Sequence, residues 1–195
     1  MKVSPDTLAA QIVREANRFV GLREVRKNSD WDNPKTPVRD YAIASELRKL
    51  MRPSPWEEGW AYCAAYCEGV VAAALRSLEF PEVKIQRWHK VMTPHCVTSA
   101  GNFRARMLLT DKPATGAVWL ARHGTSSNGH AGIVSAASGK SMSTVEANTS
   151  LDPTTPAKER EGDWITTRIR SIGGTGSLKT MGFVTPQSIL ALLEA

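Results

Sequence analysis

The stretch from Ala61 to Leu78, "AYCAAYCEGVVAAALRSL", constrains the fold more than any other. Cys63, Cys67, Val70, Val71, Ala74, Leu75 and Leu78 recur at helical spacing, and the run from Gly69 onward is almost wholly apolar. A helix of this kind has to be covered by other elements, so the rest of the chain is expected to pack around it. The preceding "RPSPWEEGW" is rich in helix breakers and fixes where that helix begins. Two cysteines four positions apart at its start raise three possibilities: a nucleophile, a pair of metal ligands, or small core side chains.

The flanking segments supply the covering elements. Ser4-Pro5 offers a capping hydroxyl followed by proline at the first helical position, and Leu8, Ile12, Val13, Ala16 and Val20 form one stripe that Gly21 ends. "REVRKNSDWDNP" reads as a loop, and Thr36-Pro37 opens a second helix carrying Val38, Tyr41, Leu47, Leu50 and Met51. A further short helix is expected after Thr93-Pro94. The period then changes to that of strands in "AVWLA", "HAGIVSAA", "SMSTVEAN" and "WITTRIR", before Thr185-Pro186 caps a last helix, "QSILALLEA". Helices first and strands after predict an α+β fold, with N-terminal helices packed on a small antiparallel sheet. At 195 residues one domain is expected, with 1–55 as its helical part and 56–195 as its catalytic core.

Composition narrows the function classes. The N-terminus interrupts its apolar residues every few positions, unlike a secretory signal, and the longest apolar run is far too short to span a bilayer. Synthesis in the cytoplasm without a signal peptide is expected, with any action beyond the membrane following release or export by a separate route. The net charge of +6 favours a polyanionic partner such as a cell wall. The basic residues are scattered, so sequence-specific nucleic-acid binding is not expected. Three cysteines at irregular spacing do not make a disulfide framework.

Reactivity is expected at Cys63, which follows the breaker-rich loop at the helix N-terminus. There unpaired N–H groups stabilise a thiolate, and the residue's own N–H is placed for an oxyanion hole. Cys67, a turn deeper, and Cys96 read as packing residues. His130 is delivered by the loop "SSNG" to the start of a strand, and "ASGK" then makes a hairpin turn. With Ala137-Ser138-Gly139 as the loop and Ala136 paired to Lys140, His130 falls opposite Glu146. Asn148, two residues on, shares the strand face of Glu146. An acceptor on one ring nitrogen leaves the other to take the cysteine proton. The rival set for zinc is Cys63, Cys67, His95 and Cys96, disfavoured because adjacent His95 and Cys96 are hard to aim at one ion. His89 and His123 read as surface residues.

The motifs carry a resemblance. "YCAAYCEGVV" resembles the cysteine helix start of CHAP domains, the cysteine- and histidine-dependent amidohydrolases/peptidases, and "GHAGIV" and "TVEANTS" are similar to their histidine and acidic/asparagine strands. "KPATGAVWL" resembles the turn and strand before the histidine, "MGFVTP" the closing strand, and "FVGLREV" the entry segment of a related subgroup. The motifs follow the family's order across residues 62–186. Two positions depart from it: Tyr62 replaces the tryptophan often found before the cysteine, and Ala117 the aspartate often found after the turn glycine.

The resemblance implies a papain-like fold and an endolysin-like peptidoglycan hydrolase without a cofactor. Cys63 takes the nucleophile's place and His130 the base's, while Glu146 and Asn148 both remain candidates for the orienting member. Trp56, Trp60 and Tyr62 beside the nucleophile are the expected substrate-binding residues. The expected partner is bacterial peptidoglycan, with no nucleic acid, no stable membrane insertion and a monomeric state. The bond is an amide of the peptide stem or cross-link, and a phage endolysin or virion-associated lysin is the expected setting. A secreted antibacterial effector amidase and a non-enzymatic basic wall-binding module are the alternatives. Calcium on the acidic loop around Asp30 and Asp32 is left open.

Overall fold

The cap-then-proline pairs Ser4-Pro5 and Thr185-Pro186 start their helices as expected. In the computed structural model, which describes residues 3–23, 41–57, 59–150, 162 and 164–195, Ser4 Oγ accepts the Thr7 backbone N–H at 3.1 Å and opens α1, Pro5–Asn17. Leu8, Ile12 and Ala16 are buried on its inner face, whereas Val13 is half-buried and Val20 exposed. The second helix, α2, is described over Tyr41–Met51. Its expected start at Thr36-Pro37, with Val38, lies outside the described residues, as does the loop bearing Asp30 and Asp32.

The apolar run forms α3, Cys63–Ser77, which is buried along nearly its whole length. It is packed by α1, α2, the second and third strands of the sheet and a helix that the sequence pattern does not announce, α4, Glu82–Val91. The helix expected after Thr93-Pro94 is α5, Cys96–Arg104, and the last is α6, Pro186–Glu194, capped by Thr185.

The strands are β1, Val118–His123; β2, Gly129–Ser138; β3, Ser141–Thr149; β4, Trp164–Ser171; the short β5, Gly174–Thr175; and β6, Leu178–Val184. They form one antiparallel sheet in the order β4-β3-β2-β1-β6-β5. The fold is therefore α+β. Alternation divides the sheet's residues. Val118, Leu120, Ala131, Ile133, Val145 and Ala147 join the helices in the main core, and Trp119, Ala121, Val134 and Met142 make a smaller cluster with Phe183.

The β2–β3 hairpin departs from the expected register. Its loop is the two residues Gly139-Lys140, with Ser138 paired to Ser141, and Gly139 takes φ +58°, a left-handed position suited to glycine. The register shifts once, between Val134 and Ala136, where Ser135 is an extra residue. Past this bulge Glu146 pairs with Gly132, not with His130. His130 and Glu146 are accordingly diagonal neighbours on one face, within reach because both side chains are long.

Gly69 is where α3 meets α2. A Cβ there would lie 2.8 Å from the Leu50 carbonyl oxygen. Alanine would raise helix propensity by about 1 kcal/mol, but a backbone oxygen cannot rotate aside, and overpacking costs about 1–3 kcal/mol. Gly69→Ala is expected to lower the unfolding free energy by about 1 kcal/mol, measured by urea denaturation; a stabilised variant would show that α2 shifts freely on α3.

Candidate functional site

The first residues of α3, α5 and β2 meet, bringing Cys63, Cys96 and His130 together. Tyr62 precedes α3, and its side chain does not cap the backbone N–H groups of that helix end. Cys63 lies in this first turn, where the His130 ring and the Ala131 backbone N–H both favour its thiolate. The strand reaches Cys96 closely because residue 129 is glycine: a Cβ there would stand 2.5 Å from the Ala121 carbonyl oxygen and 2.7 Å from Cys96 Cβ.

His130 is held from its other side. Its Nε2 lies 2.8 Å from Glu146 Oε2, which leaves Nδ1 as the ring nitrogen for the thiol. Glu146 is fully buried. Its carboxylate also receives Arg170 Nε at 2.8 Å on Oε1 and the second guanidinium nitrogen at 2.5 Å on Oε2, while the Thr144 hydroxyl donates to Oε1 at 2.5 Å. Gly132 makes room for this arrangement, since a Cβ on it would fall 2.8 Å from Glu146 Cγ. The Trp119 ring stands edge-on to the imidazole with centroids 6.0 Å apart, and the Arg170 guanidinium lies 5.6 Å over the same indole.

The charges reinforce one another. The Cys96 thiol, donating to the Cys63 sulfur, is the largest influence on Cys63; with the His130 imidazolium and the Ala131 N–H it outweighs burial and holds the Cys63 thiol well below its ordinary range. Burial would push the His130 imidazolium down, but Cys63 and Glu146 hold it up at about 9. Burial would likewise raise the Glu146 carboxyl, yet Arg170 and His130 keep it below the usual carboxylate range. Cys67, by contrast, is pushed up by burial and then by the neighbouring Cys63 charge. The resting state this favours is a thiolate–imidazolium pair at Cys63 and His130, with Glu146 ionised behind it.

The remaining sequence candidates divide. Asn148 adopts φ +57° at a break in the β3–β4 register, and its buried Oδ1 has no hydrogen-bond partner among the described residues. The left-handed backbone interrupts the simple alternation that was expected to align it with Glu146, so Glu146 is the residue that orients His130. Of the three aromatic candidates, Tyr62 is fully buried, Trp56 is 6% exposed and donates its Nε1–H to the Trp60 carbonyl at 3.1 Å, and Trp60 is 49% exposed. Trp60 alone among them presents substantial surface, because the other two fill the core beneath the loop.

His95 is committed to capping α5, its Nδ1 accepting from Thr98. Among the described residues no group of three or more His, Cys, Asp or Glu side chains converges as a metal-ligand set. His123 is exposed, as expected. His89 is not a surface residue: its Nδ1 pairs with the buried Glu68 carboxylate at 2.8 Å, joining α4 to α3.

Two functional neighbours escape the linear pattern. Arg170 sits on β4 in a strand read only as alternating, and nothing in "WITTRIR" distinguishes it from Arg168. Cys96 reads as packing, yet its sulfur lies 3.9 Å from that of Cys63. Its position directly after Thr93-Pro94-His95, at the start of a helix, is the signal that parallels Cys63.

Because the Cys63 thiolate is one of the two anions holding His130 up, Cys63→Ala is expected to move the His130 titration downward from about 9, followed by NMR of the ring protons. An unchanged titration would mean that Glu146 alone sets it. No family model, curated protein or solved structure matches the chain, so the reaction has to be inferred from the chemistry of this cluster.

Proposed function

We propose that this chain is a cysteine amidohydrolase/peptidase of the CHAP type, papain-like in fold, that cleaves an amide in the peptide part of bacterial peptidoglycan. The observation that carries the reading is the buried Cys63–His130–Glu146 arrangement, in which the thiol is held low, the imidazole high and the carboxylate ionised. A structural cysteine has no need of a charged histidine, and a structural histidine has no need of a thiolate.

The Cys63 thiolate attacks the amide carbonyl carbon, and the carbonyl electron pair moves to oxygen. The oxyanion develops at the N-terminal end of α3, where the backbone N–H groups and helix dipole favour negative charge. On collapse the C–N bond breaks and the His130 imidazolium gives its proton to the departing amine, leaving a thioester on Cys63. Water then attacks the thioester as neutral His130 takes its proton, and Cys63 departs as thiolate. Glu146 stays ionised throughout and fixes the ring orientation, and Arg170 with Thr144 keeps that carboxylate in place.

The net charge of +6 suits an anionic wall, and Trp60 at the rim of the loop offers an exposed ring to a sugar or peptide. Among the described residues no helix is long and apolar enough to cross a membrane. A phage endolysin or virion-associated lysin is the setting we favour.

The test is digestion of purified peptidoglycan with mass spectrometry of the released muropeptides, which also assigns the bond. Cys63→Ala and His130→Ala are expected to abolish release while the proteins remain folded by circular dichroism, and Cys67→Ser to retain it. Undiminished release by Cys63→Ala would overturn the mechanism.

The pH dependence follows from His130. Its folded value of about 9 lies above the ordinary 6.5. The stabilisation from its charge is therefore complete below about 6.5 and is lost as pH rises through about 9. Glu146 is shifted the other way, so its contribution persists well into the acid range. Hydrolysis is expected to fall on the alkaline side near 9, as the acid for the leaving amine loses its proton; a limb near 6.5 would place a neutral imidazole at the site.

A further inference from the structure

Cys63 and Cys96 stand as the first residues of α3 and α5, with their sulfurs 3.9 Å apart. Neither is in a disulfide, and each keeps 4% exposure where Cys67 has none. Both are held. The His95 side chain caps α5 immediately before Cys96, and the β2 backbone at Gly129 abuts Cys96 Cβ. Cys67, a turn deeper on α3, is fully buried.

We propose that Cys63 and Cys96 are a redox pair, in which Cys96 resolves a Cys63 oxidised by a hydroperoxide and locks the site as a reversible disulfide. The Cys63 thiolate attacks the terminal peroxide oxygen. The O–O bond breaks, an alkoxide or hydroxide leaves and takes up a proton, and Cys63 becomes a sulfenic acid. The Cys96 sulfur then attacks the Cys63 sulfur, the S–O bond breaks, and the hydroxyl leaves as water with the Cys96 thiol proton. Two thiols and one hydroperoxide thus give one disulfide, one alcohol or water, and one further water.

Closing the pair requires the sulfurs to approach from 3.9 Å to about 2.05 Å, a movement within reach of rotation about the two side chains. In the reduced state the same contact serves the opposite end, because the Cys96 thiol donates to the Cys63 sulfur and favours its thiolate. A residue that packed and nothing more would not need to be placed against the reactive atom. Disulfide formation with a nearby second thiol competes with the further reaction of the sulfenic acid with peroxide to sulfinic acid.

The experiment treats the full-length protein with hydrogen peroxide, alkylates the remaining thiols under denaturing conditions and maps the digested peptides by mass spectrometry. The expected result is a cross-linked peptide pair containing Cys63 and Cys96, lighter by two hydrogen atoms than the reduced pair and restored by dithiothreitol. Cys67→Ser is expected to form the same cross-link. In Cys96→Ala, Cys63 is expected to advance to sulfinic acid that dithiothreitol does not reverse.

Wild-type protein in which Cys63 reaches sulfinic acid while Cys96 stays alkylatable would overturn the proposal, as would a Cys63–Cys67 linkage. Reversible loss of peptidoglycan hydrolysis on oxidation rests on the function proposed above, whereas the cross-link does not. A cross-link in a protein that never hydrolyses peptidoglycan would leave the redox pair standing and remove the function.

Discussion

The buried carboxylate of Glu146 is the constraint around which the site is arranged. An ionised carboxylate without partners would be too costly to bury, and a protonated one would not hold an imidazolium. Arg170, Thr144 and His130 together satisfy its oxygens, and each comes from a different place along the sheet: β4, β3 itself and β2. The charge therefore couples three neighbouring strands to the orientation of one ring. Through that ring it reaches the first turn of α3, so the thiolate at Cys63 depends on a carboxylate that it never touches.

The hairpin geometry that permits this depends on one residue. A two-residue loop at Gly139-Lys140, continued without interruption, would set Glu146 opposite Ile133 and hence on the helix-facing side of the sheet. The extra residue Ser135 slips the register by one, so that Glu146 lies opposite Gly132 and faces the same way as His130. The missing side chain at Gly132 then gives the Glu146 chain a path across the pleat. A bulge that looks like an irregularity is what places His130 and Glu146 on one face.

The second cysteine alters how the helix ends should be viewed. Two helices, α3 and α5, begin against the start of β2, each with a cysteine at its first position. Gly129 allows the strand to approach α5, and His95 fixes the end of that helix. The same closeness that lets Cys96 stabilise a thiolate also places it to trap an oxidised one, so reactivity and its protection come from a single contact.

Much of the scaffold was legible because it is written locally. The cap-then-proline pairs before α1 and α6, the apolar run of α3 and the β-branched strands are short-range signals, and Cys63 and His130 are each marked by the breaker-rich segment that precedes them. A different class of fact stayed hidden. The true hairpin register, the preference for Glu146 over Asn148, the partnership of Arg170, the burial of His89 against Glu68 and the contact of Cys96 with Cys63 all depend on which residues meet across separate elements. Periodicity tells which face a side chain occupies, but a one-residue bulge reverses that face, and a salt bridge between strands leaves no spacing to read. The sequence alone determined which elements form and which residues are chemically able; only the tertiary structure decided which of them are partners, because a charge or a thiol is tuned by neighbours that the chain brings together only when it folds.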